Sequence, residues 1–198
     1  MMNSATKNQK LFPRTSVFAA TALALALSPA AFAGKGHKAH EHGVANVNVV
    51  GEGNTVTIQL QAPSDSIYGF EHEAKKEADV KKRDTAIEKL RTSAEQMFVL
   101  DPSLGCKITS NDIKPFVTES NEQKDAKSQA KADKHKEGTH SEVHATFKFE
   151  CSKPVAGSKL SFAARKHFKS LRTLKIQVLS GEKQDGTTIK NDKGTVSL

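Results

Sequence analysis

The chain has 198 residues, a formal charge of +8 at neutral pH, a single tyrosine, no tryptophan and two cysteines. Its basic residues are interleaved with acids, as in EHEAKKEADVKKRD, and only Tyr68 and the phenylalanines can stack on bases. That excludes a nucleic-acid binder built on basic patches with aromatic interleaving.

Residues 1–33 carry Lys7, Lys10 and Arg14 with no acid, then the apolar run VFAATALALAL, then SPAAFA. A basic start, a short apolar core and small residues flanking Phe32 predict a secretory signal cleaved after Ala33. A membrane anchor needs about 20 apolar residues, more than this run or any later one offers. Cleavage leaves 165 residues, 34–198, at a formal charge of +5, long enough for one domain with an ordinary core. The expected product is exported and has no transmembrane segment.

VANVNVV and TVTIQLQA each alternate apolar and polar residues around the turn signal GEGN, which predicts an antiparallel hairpin with one buried face. From about Glu71 to Leu100, Ile87, Leu90, Ala94, Met97 and Phe98 recur at helical spacing and predict a long amphipathic helix. Weaker strand signals follow near Cys106–Ile108 and Pro115–Glu119. Residues 120–139 contain no large apolar side chain and mix five lysines with four acids, the composition of a mobile, Lys-rich loop. HSEVHATFKFEC then places Val143, Ala145, Phe147, Phe149 and Cys151 on one face of a strand and His140, Glu142 and His144 on the other. A short helix is expected over Ala163–Leu171, a strand at LKIQVLS, and one more near the end. The predicted class is α+β: an antiparallel sheet packed by one long and one short helix.

Cys106 and Cys151, an even count in an exported chain, point to a disulfide, and their 45-residue spacing offers no CxxC motif.

Seven of the eight histidines lie in three groups: His37, His40 and His42; His72; and His135, His140 and His144. If the first strand begins early, His40 and His42 project to one side about 6.8 Å apart at Cα, and His140, Glu142 and His144 repeat that geometry. Two such segments on neighbouring strands would supply four or five donors for one metal ion. The competing reading is a polar leader followed by a solvated strand face. Imidazole donors leave zinc, copper and nickel open. His167, in ARKHFKSL, reads as a surface or helix-end residue, and Glu71 in GFEH as an acid favouring a helix start.

The segments HEHGVANVNVVGEGNTVTIQLQAPSDSIYGFEH, HSEVHATFKFECSKP and HFKSLRTLKIQVLSG occur in this order over most of residues 40–180. Together they resemble the ZrgA-like periplasmic zinc-binding proteins of Gram-negative bacteria. The resemblance implies a periplasmic, non-enzymatic protein that takes Zn2+ for acquisition, buffering or delivery to a zinc-uptake membrane system. The positions matching metal-type residues are His40, His42, His72, His140 and His144. Family members often carry a histidine-rich loop before the HSE strand, whereas this chain has a lysine-rich segment holding only His135. A folded site of low stoichiometry is therefore expected in place of a loading loop.

Two other classes stay open at this stage. The Lys-rich loop suits an electrostatic module docking to a membrane surface or partner protein. A zinc-dependent hydrolase with Glu71 or Glu142 as base is the other, although HExxH, GxSxG and phosphate-binding glycine loops are all absent.

Overall fold

The computed structural model describes residues 41–118, 140–190 and 194–198. The predicted signal, His37, His40, the 120–139 loop and His135 lie outside the described residues.

Valines and isoleucines at every second position build a six-stranded sheet in which β1 (Val44–Glu52) and β2 (Thr55–Pro63) form the expected hairpin. Gly53 makes its turn at φ 55°, a left-handed conformation that glycine adopts without a Cβ clash. β2 pairs with β5 (Glu142–Glu150), β5 with β4 (Lys107–Val117), and β1 with β7 (Thr173–Ser180), whose outer neighbour is β8 (Lys183–Lys190). Register places Val47 opposite both Leu60 and Ile176, and Ile58 opposite Phe147. These side chains are all at most 2% exposed, so the alternation read from the sequence does define one continuous buried face.

The sheet is mixed, which corrects the antiparallel expectation: β1 and β7 run parallel, Val44 opposite Thr173. A strand with one buried face alternates identically whichever way its neighbour runs, so the pattern carried no direction. The backbone does carry it, since Arg172 N–H and Thr173 N–H both donate to the Gly43 carbonyl at 2.8 and 3.0 Å and start both strands at the same rim.

Four α-helices occur among the described residues, two more than expected: α1 (Ser64–Tyr68), α2 (Glu77–Thr92), α3 (Ala94–Met97) and α4 (Ala164–His167). The predicted 71–100 helix is thus shorter and interrupted. Ile87, Leu90, Ala94, Met97 and Phe98 are all buried as expected, but Phe98 already belongs to β3 (Phe98–Leu100). β3 pairs with β6 (Lys159–Phe162), and β6 with β9 (Gly194–Ser197), in a second, three-stranded sheet that the sequence reading did not foresee. Phe98 meets Phe147 of the large sheet at 5.6 Å between ring centroids and Phe162 of the small one at 6.0 Å. Those three rings mark where the two sheets share a core.

Cys106 and Cys151 form the expected disulfide. Lys107 pairs with Glu150, so the bridge closes the β4–β5 ladder one residue beyond its last pair.

Candidate metal centre

Strand register decides which loops can meet. Asn46 lies opposite Gln61, and Pro63 opposite Glu142, so the start of β1, the end of β2 and the start of β5 all reach one rim of the sheet. The residues just outside those ends are His42, Ser64-Asp65 and His140. β2 stands between β1 and β5, and the two histidine segments are therefore not on neighbouring strands. They converge beyond the strand ends.

Local sequence then aims each side chain. Gly43 takes φ 80°, and a Cβ there would stand 2.8 Å from Arg172 Nε and 2.9 Å from the Ser170 carbonyl. The glycine of the HEHG motif thus lets the chain turn tightly from His42 into β1. Gly43 N–H donates to Ser66 Oγ at 3.1 Å, and Arg172 Nη2 donates to the His42 carbonyl at 3.3 Å. On the second approach, Ser64 N–H donates to the Ser141 carbonyl, and Gly69, at φ 87°, ends α1 after a single turn.

The chain then continues outside helix and strand through Phe70, Glu71 and His72, with a bend at His72. Tyr68 packs on Phe70 and Phe70 stacks on His72, each pair at 4.6 Å between ring centroids. Alternate residues being occupied by that stack, Glu71 turns the other way, and Ser141 Oγ fixes its backbone by donating to the Glu71 carbonyl at 2.6 Å.

The result is a three-residue group. Glu71 Oε2 lies 2.8 Å from His140 Nδ1, and Glu71 Oε1 lies 3.7 Å from His42 Nδ1. The imidazoles of His42 and His140 meet edge to face at 6.2 Å, and one donor atom from each of the three residues falls within 4.8 Å of the others. A tetrahedral zinc ion with ligand bonds of about 2.0–2.2 Å needs donors about 3.3–3.6 Å apart. The observed separations bracket that value, so small side-chain rotations would bring the three donors onto one ion. Glu71 is 19% exposed while the imidazoles are 55% and 52% exposed, making the carboxylate the floor of the site and the rings its walls.

Glu71 Oε1 is buried and has no hydrogen-bond partner among the described residues. An ionised carboxylate oxygen left so is costly unless a cation meets it. Asp65 adds a second negative charge: its Oδ2 accepts from His42 Nδ1 at 2.7 Å. With both imidazoles neutral, Asp65 and Glu71 together carry the charge that balances a divalent ion. The hydrogen bond to Asp65, then the negative charges of Asp65 and Glu71, raise the His42 pKa above the ordinary 6.5; slight burial and Arg172 oppose them.

Of the positions singled out from sequence, His42 and His140 enter the group. His72 does not: its Nε2 sits 3.2 Å from Asp79 Oδ2 at the first turn of α2. His144 does not either, its Nε2 lying 2.7 Å from Glu142 Oε2 on the outer face of β5. Glu71, weighed only as a helix-start acid or a base, is the third member, and the helix it was assigned to begins six residues later. Asp65 was missed altogether; its short side chain beside Ser64 and Ser66 gave no spacing signal.

A family model described as ZrgA family zinc uptake protein matches residues 39–198, which is most of the chain and contains every described residue. The chain belongs to the ZrgA family. No curated protein matches it. Membership gives the rim group of this ZrgA-family chain a chemical subject, zinc, for which two imidazoles and a carboxylate are suitable donors. Among the described residues, no helix is long and apolar enough to cross a membrane.

Proposed function

We propose that this chain is an exported, non-catalytic zinc-binding protein of zinc acquisition, holding one ion at the rim through His42, Glu71 and His140. The observation that carries this reading is the Glu71 carboxylate, set between two imidazoles with one buried oxygen lacking any hydrogen-bond partner among the described residues. Half-exposed histidines suit a carrier or buffer, which must release its ion as well as take it up. The disulfide and the signal-like leader support export to an oxidising compartment such as the periplasm. Three protein donors leave a fourth position open, which is shared by hydrolytic zinc sites. Glu71, however, lies against the imidazoles themselves, where it serves as ligand, and no second carboxylate in the group is left free of a histidine to act as base.

Calorimetric titration of zinc, and separately copper(II), into the metal-stripped chain at neutral pH tests the proposal. The expected result is one submicromolar zinc site, with no metal-dependent turnover of model esters. Zinc binding no tighter than tens of micromolar would overturn it.

The raised His42 pKa carries its own prediction. In the metal-free chain, the Asp65 interaction stabilises the fold below pH 6.5, where His42 is protonated in both states, and is lost as pH rises through the raised folded value. Zinc has the opposite demand, because it needs the neutral ring. Protons therefore compete with zinc from a higher pH than at an unperturbed histidine, and mild acid releases the ion. NMR titration of the metal-free chain should place the His42 midpoint above 6.5, and Asp65→Asn should lower it. A His42 midpoint unmoved by that substitution would show the hydrogen bond to be absent in solution.

A further inference from the structure

A concavity of about 670 Å³ lies between α1, one face of α2 and the 167–170 segment. Its apolar lining comes from Ile67, Tyr68, Ala78, Ala86 and Phe168, and its charged lining from Lys81, Lys82, Lys89 and Lys169. On α2 the lining positions 78, 81, 82, 85, 86 and 89 recur at helical spacing, so they form one stripe beside the buried Ile87 and Leu90.

None of the four lysines has a carboxylate within 4 Å among the described residues, although α2 itself is rich in acids. Three of its four acids point elsewhere: Asp79 meets His72, Asp84 meets Arg83, and Glu88 meets Arg91. Lys82 and Lys89 lie over the Phe70 and Phe168 rings, and Lys89 also donates to the His167 carbonyl at 2.6 Å. Such contacts hold the ammonium groups in place without neutralising them. The one carboxylate in the lining, Asp65, accepts from His42. His167, also in the lining, has its pKa lowered first by burial and then by Lys89 and Lys166.

We propose that this groove docks an acidic amphipathic segment of a partner protein, apolar side chains on the apolar lining and carboxylates on the four lysines. Four like charges around one apolar hollow, two of them held by ring and carbonyl contacts, repel one another, and an anionic occupant relieves that repulsion. A helix-lined trough with an apolar stripe and a charged rim matches the helix-in-groove mode of peptide recognition. A bilayer is flat and meets lysines best on a convex face, whereas these ring a hollow. Because Asp65 belongs to both walls, the docked segment stands beside the His42 group, but the proposal does not depend on zinc being bound there.

The test uses the full chain and a labelled 14-residue peptide with leucines at positions 3, 6, 7 and 10 and glutamates at most others, followed by fluorescence anisotropy at low salt. Saturable binding is expected, falling at least tenfold with Lys81→Glu combined with Lys169→Glu and persisting with the corresponding Lys→Arg pair. Zinc affinity and the circular dichroism spectrum should be unchanged in both variants, which separates loss of docking from loss of fold. Absence of peptide binding, or equal binding by the charge-reversed variant, would overturn the proposal. So would equal binding by a peptide whose leucines are replaced with serine, since attraction would then be charge alone. Sedimentation with anionic phosphatidylglycerol vesicles that needs Lys81 and Lys169, without peptide binding, would reassign the groove to a membrane surface.

Discussion

Glu71→Gln is expected to weaken zinc binding by about 100-fold, and His42→Ala combined with His140→Ala by about 10⁴-fold, while His72→Ala and His144→Ala each leave affinity within about threefold. The magnitudes follow from folded zinc sites, where binding free energies of roughly 10–16 kcal/mol spread over about four ligands give about 3 kcal/mol per donor. Glutamine keeps the shape of Glu71 and its capacity to accept from His140, but not the charge that an ion would meet at the buried oxygen. The substitution should therefore separate metal binding from folding: the metal-free variant unfolds at nearly the same temperature as the parent. Competition against a chromophoric chelator reads the affinities directly. If His144→Ala or His72→Ala costs as much as Glu71→Gln, the ion does not sit at the rim group.

That contrast also shows what the sequence could and could not disclose. His42 and His140 were legible from their alternate-residue spacing, with His40 and with Glu142 and His144, and from the family resemblance; the spacing read them as strand residues, although each stands just before its strand. His144 looked equivalent to them by type and spacing, and His72 by the resemblance alone. What separates the four is which way each side chain leaves the backbone. The Tyr68, Phe70 and His72 stack turns His72 toward α2 and Glu71 toward His140, and such a stack forms only once the loop has a sheet rim to lean on. His144 lies within β5, two residues from Glu142 on the same face, and pairs along its own strand.

The fold divides in the same way. The buried faces of β1, β2, β5 and β7 were readable from period-2 patterns, and the stripe from Ile87 to Phe98 from its helical period. The direction of β7 was not, because one-sided burial is blind to polarity. Nor was the small sheet, whose strands β3, β6 and β9 are three or four residues long and owe their form to pairing with one another.

Replacing Cys106 and Cys151 with serine, or reducing the bridge, should lower the unfolding midpoint by roughly 5–15 °C. The bridge closes a loop of 45 residues, for which the chain-entropy model gives about 4 kcal/mol and common experience 2–4 kcal/mol. For a domain of this size each kcal/mol moves the midpoint by about 2–4 °C. The loss should nevertheless leave zinc affinity intact wherever the chain remains folded. Cys151 and His140 lie beyond opposite ends of β5, about 36 Å apart at 3.3 Å per residue, and they share no side-chain contact. Zinc at about 1,000 times its dissociation constant adds about 4 kcal/mol to the folded state by mass action. The reduced, zinc-loaded chain should therefore melt close to the oxidised, zinc-free one, with the two contributions additive, as expected of distant sites. Calorimetric scans of the four states, oxidised and reduced, with and without zinc, measure this directly. A reduced chain that is folded at 25 °C yet no longer binds zinc would show instead that the bridge holds the rim in shape through β5, and that the two ends of the strand act as one unit.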